Sequence, residues 1–255
     1  MSIKGKVLAA AATLTLLSGV GAAGALSAGT ASAATPSCGG SCIDIFSHQF
    51  GTHHTPNYAV DVLRQGEKVG QPIILFRTAN FDPALDWTVS FQGTVADFYA
   101  ADLVGAALAL HYGCTAPTPF PDCDAGVNLP AFEIEYAPYG VDSGLCMGVA
   151  STAVEEEGVS LQPCGVSGKT VWITDTIDSP STLFSGYVPL INGSDTNFSQ
   201  PFVLTYPSSG YPTNMPRPQL QVDNLSGSSQ GFPPGPVLGT VNDNQLWGAD
   251  FGVLN

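Results

Sequence analysis

The sequence predicts an all-β fold assembled from three imperfect copies of one strand pattern. Short apolar runs recur along the chain, and the turns between them hold most of the 29 glycines and 20 prolines, as expected for many short strands. Tryptophans begin three of the runs, at Trp87, Trp172 and Trp247. A strand, a strand and a Trp-led strand, repeated three times, predict a closed fold in which each copy completes its core with its neighbours.

The first 33 residues have the layout of a secretory signal peptide. Lys4 and Lys6 precede an apolar run over residues 7–17, and small residues ending in Ala33 follow. We therefore expect export to the extracellular space, cleavage near Ala33, and a single mature domain over residues 34–255. No second apolar run is long enough to cross a membrane.

The charge of the chain limits its partners. Seven basic residues stand against 21 acidic ones, and the net charge is −14. Without Lys4 and Lys6 the mature part keeps five basic residues and a net charge of −16. Such a surface repels nucleic acids and anionic membranes, so neither is expected as a partner, and the charge specifies no protein partner.

Six cysteines in an exported chain predict three disulfides. Fifteen pairings are possible, and the spacing favours three local ones. These are Cys38 with Cys42, Cys114 with Cys123, and Cys146 with Cys164. No two cysteines form the CxxC pairs that are common in structural zinc sites, so the cysteines predict no metal site.

Four strands are predicted in the first part of the mature chain, each an apolar or alternating run bounded by turn residues. They span residues 42–50, 57–63, 72–77 and 86–91. Residues 93–113 include a segment around 103–110 whose composition also suits a helix, but the valines and aromatic residues among turn residues favour strands. The Pro-rich residues 114–123 are predicted to form an excursion loop between two cysteines.

The second part of the chain continues the same pattern. Residues 131–140 alternate apolar residues with Glu133 and Glu135, which predicts a half-buried strand with both glutamates facing solvent. Residues 144–172 hold two strands, a turn and a third strand entered through Trp172, and form the clearest copy of the pattern. Further strands are predicted at residues 170–177, 186–191, 201–206, 218–225 and 244–254.

Each of the three copies contains two aliphatic strand positions followed by a tryptophan. The sets are Val62, Leu75 and Trp87; Val149, Leu161 and Trp172; and Leu204, Leu220 and Trp247. With the motifs LCMGV, EGVSLQPC, TVW and NQLW, these segments resemble the ricin-type β-trefoil family, the ricin B-like lectins. Repeats of that family carry a CLDV-like strand, a VxLWxC-like strand and a QxW strand. Cys146 and Cys164 match the family's disulfide within a repeat, and Gln245-Leu246-Trp247 matches QxW.

The resemblance implies a β-trefoil with three imperfect repeats and long inserted loops, and it implies no cofactor. It further implies a secreted, lectin-like, carbohydrate-binding protein that takes a glycan or polysaccharide in a degenerate pocket. The alternative is a non-catalytic structural or protein-binding β-trefoil that has lost sugar binding. Because few residues follow Trp247, a twelfth strand has little room there, and residues 42–47 are predicted to close the barrel instead.

The same resemblance assigns candidate sugar-binding residues. A carboxylate at Asp61 would bind sugar hydroxyls, an aromatic ring at Phe76 would contact the apolar face of the sugar, and an amide at Asn244 would add hydrogen bonds. The second copy has Gly148 in place of the carboxylate, and the third has Thr205. No copy holds a full set. The alternative interpretation places Asp61 in solvent and Phe76 in the core.

Other motifs give weaker functional signals. His48, His53 and His54 form a short tract that a transition metal would suit, but the tract lacks arranged carboxylates, so no metal site is predicted. Glu133 and Glu135 are spaced as glycosidase carboxylates sometimes are, but strand alternation explains them, and a hydrolase is the least favoured class. No nucleophile elbow is present. Sequons begin at Asn192, Asn197 and Asn224 and are taken to mark surface loops.

Overall fold

The structure is a computed structural model of the chain. It describes residues 42–50, 58–77, 87–113, 128–174, 186–210, 217–226 and 241–251. The predicted signal peptide, His53 and His54, and the cysteines at positions 38, 114 and 123 lie outside these ranges.

Twelve strands within the described residues pair in one antiparallel network. They are β1 Ile43–Ser47, β2 Tyr58–Val62, β3 Ile73–Arg77, β4 Trp87–Thr94, β5 Pro130–Tyr136, β6 Leu145–Val149, β7 Glu157–Pro163, β8 Val171–Thr174, β9 Leu190–Asn192, β10 Phe202–Thr205, β11 Gln221–Asn224 and β12 Trp247–Phe251. The strands predicted outside residues 93–113 are thus present, and the fold is mostly β.

Six of the strands pair in a ring. β1 pairs β4, β4 pairs β5, β5 pairs β8, β8 pairs β9, and β12 pairs β1. Val188, just before β9, exchanges two backbone hydrogen bonds with Trp247 of β12, at 2.9 and 3.0 Å, and so closes the ring. The prediction that residues 42–47 close the barrel is confirmed, because β1 pairs β12 over five residues, from Ile43 opposite Phe251 to Ser47 opposite Trp247.

The other six strands form three hairpins, β2–β3, β6–β7 and β10–β11. The hairpins also contact one another: β7 pairs β11, and single bridges join Pro72 to Ser160 and Ile74 to Gln219. Each hairpin begins after one ring strand and leads to the next. The strands therefore fall into three successive groups of four, called here unit 1 (β1–β4), unit 2 (β5–β8) and unit 3 (β9–β12).

The three tryptophans occupy matching places in the three units. All are buried, and each indole Nε1–H donates to a backbone carbonyl of the hairpin in its own unit. The acceptors are Val60 at 3.0 Å, Met147 at 2.9 Å and Leu204 at 2.8 Å. These hydrogen bonds anchor each hairpin to the core while satisfying the only polar atom of a large buried ring.

The hydrogen bonds correct the alignment of the third copy. Leu204 corresponds to Val60, not to Val62, and its cross-strand partner Val222 corresponds to Leu75. The sequence alignment was therefore wrong by two residues in the third hairpin. Side chains alternate between sheet faces with a period of two, so a shift of two keeps every apolar residue on the core face and leaves no trace in the pattern.

Residues 95–112 form two helices, and the prediction of strands there was wrong. α1 spans Val95–Ala100 and α2 spans Ala106–Tyr112. Thr94 and Asp97 form a capping box: the Thr94 N–H donates to Asp97 Oδ2 at 2.8 Å, and the Asp97 N–H donates to Thr94 Oγ1. Local capping and apolar spacings of three and four residues outweigh β-propensity in this segment.

The two helices bury their apolar faces in a second hydrophobic cluster, separate from the main core. Its members from the helical insertion and from the outer faces of strands are Val95, Phe98, Val104, Leu108, Tyr112, Leu129, Ala131, Val171, Ile173, Ile191, Val203 and Leu225. The insertion thus covers one side of the barrel. Neither helix is long and apolar enough to cross a membrane, and the described residues contain no other helix that is.

Glu133 and Glu135 are buried, so the expectation of a solvent-facing pair was wrong. Glu133 accepts the N–H of Gly165 at 3.0 Å and the hydroxyl of Thr170. Glu135 accepts the N–H of Gly144 at 2.6 Å, and burial raises the pKa of its carboxyl. The turns that follow β5 and β7 thus supply backbone donors to the outer face of β5, and the two carboxylates hold those turns.

The central disulfide is confirmed, since Cys146 and Cys164 are joined. Cys42 is also disulfide-bonded, whereas the predicted Cys114–Cys123 pair falls outside the described residues. Asn192 contradicts the assignment of its sequon to the surface: its side chain is fully buried, and its Nδ2 donates to the Lys169 carbonyl at 3.0 Å.

Candidate functional site

Asp61, Gly148 and Thr205 occupy equivalent positions in the three units. Each directly follows the residue whose carbonyl accepts the tryptophan indole N–H. These three places, called here the hairpin positions, are where the family resemblance locates the sugar-binding carboxylate. The structure therefore allows the same site to be compared three times on one backbone.

In unit 1 the structure brings Asp61 and Phe76 to one face of the β2–β3 hairpin. Asp61 lies opposite Ile74, and Phe76 is two residues further along β3, so the two side chains are diagonal neighbours. The Asp61 carboxylate is buried, with 3% of the residue exposed, and its Oδ1 accepts the Val62 N–H at 2.6 Å. Phe76 is half-buried.

Arg217 is a third residue at this position, and no sequence motif pointed to it. Its guanidinium carbon lies 3.9 Å from the centroid of the Phe76 ring, a cation–π contact. Its Nε is buried and has no hydrogen-bond partner within the described part of the chain. Arg217 lies outside every motif of the repeat, two residues before Gln219, which bridges to Ile74 in the strand that holds Phe76.

In unit 2 the backbone itself fills the hairpin position. A Cβ on Gly148 would stand 2.6 Å from the Lys169 carbonyl oxygen and 2.9 Å from Thr170 Cγ2. Only glycine fits such an approach. Gln162, which corresponds to Phe76, donates from Nε2 to Ser160 Oγ at 2.8 Å. No carboxylate and no aromatic ring stands at this position.

In unit 3 the polar side chains bind one another. The Thr205 hydroxyl donates to the Val203 carbonyl at 3.0 Å and accepts from Gln245 Nε2 at 3.1 Å. Gln245 also donates to the Asn224 carbonyl at 3.0 Å, and its Oε1 accepts the Ser226 N–H at 2.8 Å. The glutamine of the QxW triplet is therefore buried and fully bonded within the protein.

Asn244, the predicted amide of the sugar site, belongs to this third position. Its Nδ2 donates to the Tyr206 carbonyl at 2.9 Å, and the Tyr206 N–H donates to the Asn244 carbonyl at 3.0 Å. These two bonds hold the 3-10 turn Asp243–Gln245 against the end of β10. The amide is thus engaged with unit 3, apart from the Asp61 and Phe76 pair in unit 1.

Unit 3 contains a further buried carboxylate, Asp195, in the loop after β9. Its Oδ1 accepts the N–H groups of Asn197 at 3.1 Å and Phe202 at 3.3 Å. Its Oδ2 is buried without a hydrogen-bond partner among the described residues. Burial raises the pKa of Asp195 to about 6, against the lowering effect of its backbone donors.

His48, from the predicted histidine tract, bonds to a carboxylate of unit 3. Its Nδ1 lies 3.1 Å from Asp243 Oδ1, and its ring contacts Tyr187 edge-on at 4.6 Å. Across the described residues, no group of three or more His, Cys, Asp or Glu side chains is arranged to hold a metal ion.

Comparisons with known proteins give structural neighbours only. No family model matches the chain, and no curated protein matches it. Among solved structures, the designed threefold symmetric protein ThreeFoil is similar with a TM-score of 0.45 and 13% identity, over 82% of this chain and 97% of that one. The ricin B-like lectin of Macrolepiota procera, solved with lactose, is similar with a TM-score of 0.40 and 13% identity, over 84% and 96%.

The SDF2-like protein of Arabidopsis thaliana is similar with a TM-score of 0.40 and 11% identity, over 84% of this chain and 94% of that one. The structural neighbours thus include the family that the sequence resembles.

Proposed function

We propose that this protein is a β-trefoil that binds a glycan at the hairpin position of unit 1. The trefoil assignment is supported by the ring of six strands, the three hairpins and the three matching tryptophan hydrogen bonds. Each unit contributes two ring strands, one hairpin and one tryptophan hydrogen bond, which is the repeat that a trefoil requires.

The observation that carries the binding proposal is the contrast among the hairpin positions. Unit 1 alone has a carboxylate, Asp61, and an aromatic ring, Phe76, and both lie on one face of its hairpin. A carboxylate forms charge-assisted hydrogen bonds to sugar hydroxyls, and an aromatic ring packs against the C–H groups of a pyranose. Arg217 adds guanidinium donors beside the ring.

The proposed protein is a binding protein and not a hydrolase. Glu133 and Glu135 are the two carboxylates with glycosidase-like spacing. Glu133 accepts hydrogen bonds from the Gly165 N–H and the Thr170 hydroxyl, and Glu135 accepts one from the Gly144 N–H. We further propose that the chain is exported and cleaved near Ala33, which the N-terminal sequence of the protein recovered from the culture medium would test.

A glycan array with the purified mature chain tests the proposal. We expect binding by the wild type, and a loss of about tenfold or more in Asp61→Asn, since one charged hydrogen bond contributes about 1.5–3 kcal/mol. Arg217→Ala should weaken binding as well, and because Arg217 is half-exposed this variant is a test that does not depend on core packing.

Asp223→Asn is the matched control. Asp223 corresponds to Phe76 in unit 3, and its carboxylate bonds to Gln221 and to the Glu156 N–H, so its neutralisation should leave glycan binding unchanged. Equal binding by wild type and Asp61→Asn would move the site elsewhere. A wild type that binds no glycan would favour the protein-binding alternative.

A further inference from the structure

A cavity of about 330 Å³ opens inside the barrel at the end away from the hairpins. The residues that line it come from the start of β1 and β5, the end of β4 and β8, the segment just before β9, and the strands β9 and β12. The hairpins are attached at the other ends of these strands. For example, Phe46 near the end of β1 pairs with Ala59 at the start of β2. The cavity is therefore remote from the proposed glycan position.

The wall of the cavity is apolar and uncharged. Aliphatic side chains and the ring of Trp247 form most of it, and no Asp, Glu, Lys, Arg or His is among the described residues that line it. The polar side chains are those of Gln92 and Thr174. The Thr174 hydroxyl already donates to the Pro130 carbonyl at 3.2 Å, whereas the Gln92 side chain is exposed at the rim.

The packing of the core shows that this space is unfilled. Ile45, Ile134 and Trp247 are completely buried, but Val89, Phe132 and Val188, which pack against the same core, remain only half-buried. Ala249, which lies opposite the core residue Ile45 in the β1–β12 pair, has a side chain too short to fill this space. The core therefore ends one layer short of the rim.

We infer that this cavity binds a small, uncharged, largely apolar molecule with one polar group at the Gln92 rim. An apolar cavity of about 150 Å³ takes one benzene ring, so this volume suits a molecule with two fused rings or about ten aliphatic carbons. Ligand sites commonly begin at about 300 Å³. Burial of the exposed parts of Val89, Phe132 and Val188 provides the driving force, and a charged ligand would find no partner in the wall.

The test uses 2-naphthol as the probe and naphthalene-2-sulfonate as its charged counterpart. Calorimetric titration of the mature wild type should show 2-naphthol binding at one site, with quenching of Trp247 emission, and binding of the sulfonate about tenfold weaker or worse, since the wall cannot compensate its charge. No 2-naphthol binding, or equal binding of the two probes, would overturn the inference.

Two variants locate the probe. Val188→Phe places a larger side chain in the cavity, and 2-naphthol affinity should fall about tenfold, as expected when a cavity is already occupied. Val166→Phe is the matched control, because Val166 is 68% exposed and lies in the turn after β7. It should bind 2-naphthol like the wild type, and equal affinity in both variants would place the probe elsewhere.

Gln92→Leu guards against a folding defect in Val188→Phe. Gln92 is exposed, so the variant should fold. We expect the wild type to bind 2-naphthol more tightly than naphthalene, and Gln92→Leu to bind naphthalene as the wild type does but 2-naphthol no more tightly than naphthalene. An unchanged preference would remove Gln92 as the polar contact and overturn that part of the inference. A glycan bound at Asp61 should leave the 2-naphthol affinity unchanged, and the two sites can be tested separately.

Discussion

The hairpin position of unit 1 differs from those of units 2 and 3 although all three have the same backbone frame. In each unit the tryptophan indole N–H holds the neighbouring carbonyl at 2.8–3.0 Å. In unit 2 the next residue is Gly148, covered by the Lys169 carbonyl, and in unit 3 it is Thr205, bonded to Gln245. In unit 1 it is the carboxylate of Asp61, next to Phe76 and Arg217.

The comparison shows that the contact that stabilises each hairpin and the side chain proposed to bind a ligand belong to different residues at neighbouring positions. The tryptophan hydrogen bond is kept in all three units because a buried indole N–H needs a partner. The side chain of the adjacent residue takes no part in that hydrogen bond, so the residue type is free to differ between units within the space that each unit leaves. In unit 2 the backbone fills the hairpin position, and in unit 3 its polar side chains bond to each other. In unit 1 a carboxylate and an aromatic ring stand there, which are side chains of the kind that bind a ligand.

The largest effect is expected when the residue of unit 1 is placed in unit 2. Gly148→Asp would put a Cβ 2.6 Å from the Lys169 carbonyl oxygen and a buried charge beside it, and we expect a loss of about 4 kcal/mol in the free energy of unfolding. Urea denaturation at pH 7 measures it.

Gly105→Asp is the control for that substitution. A Cβ at Gly105 meets nothing within 4 Å, and Gly105 is the N-cap of α2, where Asp is a favoured residue. The control should be as stable as the wild type or slightly more so. If Gly148→Asp unfolds at the same urea concentration as the control, the close approach in unit 2 does not require glycine.

A second effect concerns Asp195, the buried carboxylate of unit 3. Burial raises the pKa of Asp195 from 3.8 to about 6, so the folded state favours its protonated form. Its stabilising contribution is fully present below pH 4 and is lost as the pH rises from about 4 to 6, by up to about 3 kcal/mol for a shift of this size.

Asp195→Asn should remove this pH dependence, because an amide does not titrate. Unfolding curves of the variant between pH 4 and 7 should be flatter than those of the wild type. Asp102→Asn, at an exposed residue with a positive φ of 61° that Asn tolerates, should keep the wild-type slope. A wild-type slope in Asp195→Asn as well would show that another group titrates in this range.

The smallest of the three effects tests the hydrogen bonds that Gln245 forms at the hairpin position of unit 3. Gln245→Ala removes hydrogen bonds to Thr205, Asn224 and Ser226, and we expect a loss of about 2 kcal/mol because buried partners are left unsatisfied. Thermal unfolding measures it against Gln200→Ala, an exposed glutamine. A Gln245 variant as stable as the Gln200 variant would mean that water replaces the lost bonds.

The strands were predictable from the sequence because apolar alternation and turn residues are local signals. The helices α1 and α2 were not predicted, because the composition of residues 93–113 suits both strands and helices, and the capping box of Thr94 and Asp97 favours the helix. Burial of Glu133 and Glu135 could not be predicted, since it depends on turns that contribute their N–H groups from other parts of the chain.

The candidate site was predictable only in part. Asp61 and Phe76 belong to adjacent strands of one hairpin, and the repeat pattern placed both on one face. Arg217 comes from unit 3 and lies outside the motifs, so no local pattern connects it with Phe76. The two-residue error in unit 3 arises because the apolar pattern fits both alignments, and the Trp247 hydrogen bond and the β10–β11 pairing distinguish them.

The pairing of β1 with β12 has a consequence for the order of folding. Ile43 lies opposite Phe251, so the barrel is sealed by a contact between residues about 200 positions apart, whose closure is entropically costly and slow compared with local hairpins. During synthesis β1 can pair with β2 and β4 early, but its other edge stays unpaired until β12 emerges. Because the two ends of the domain are neighbours, a linker can join them, and a circular permutant opened at the turn between β6 and β7 would form this seam early as a local hairpin.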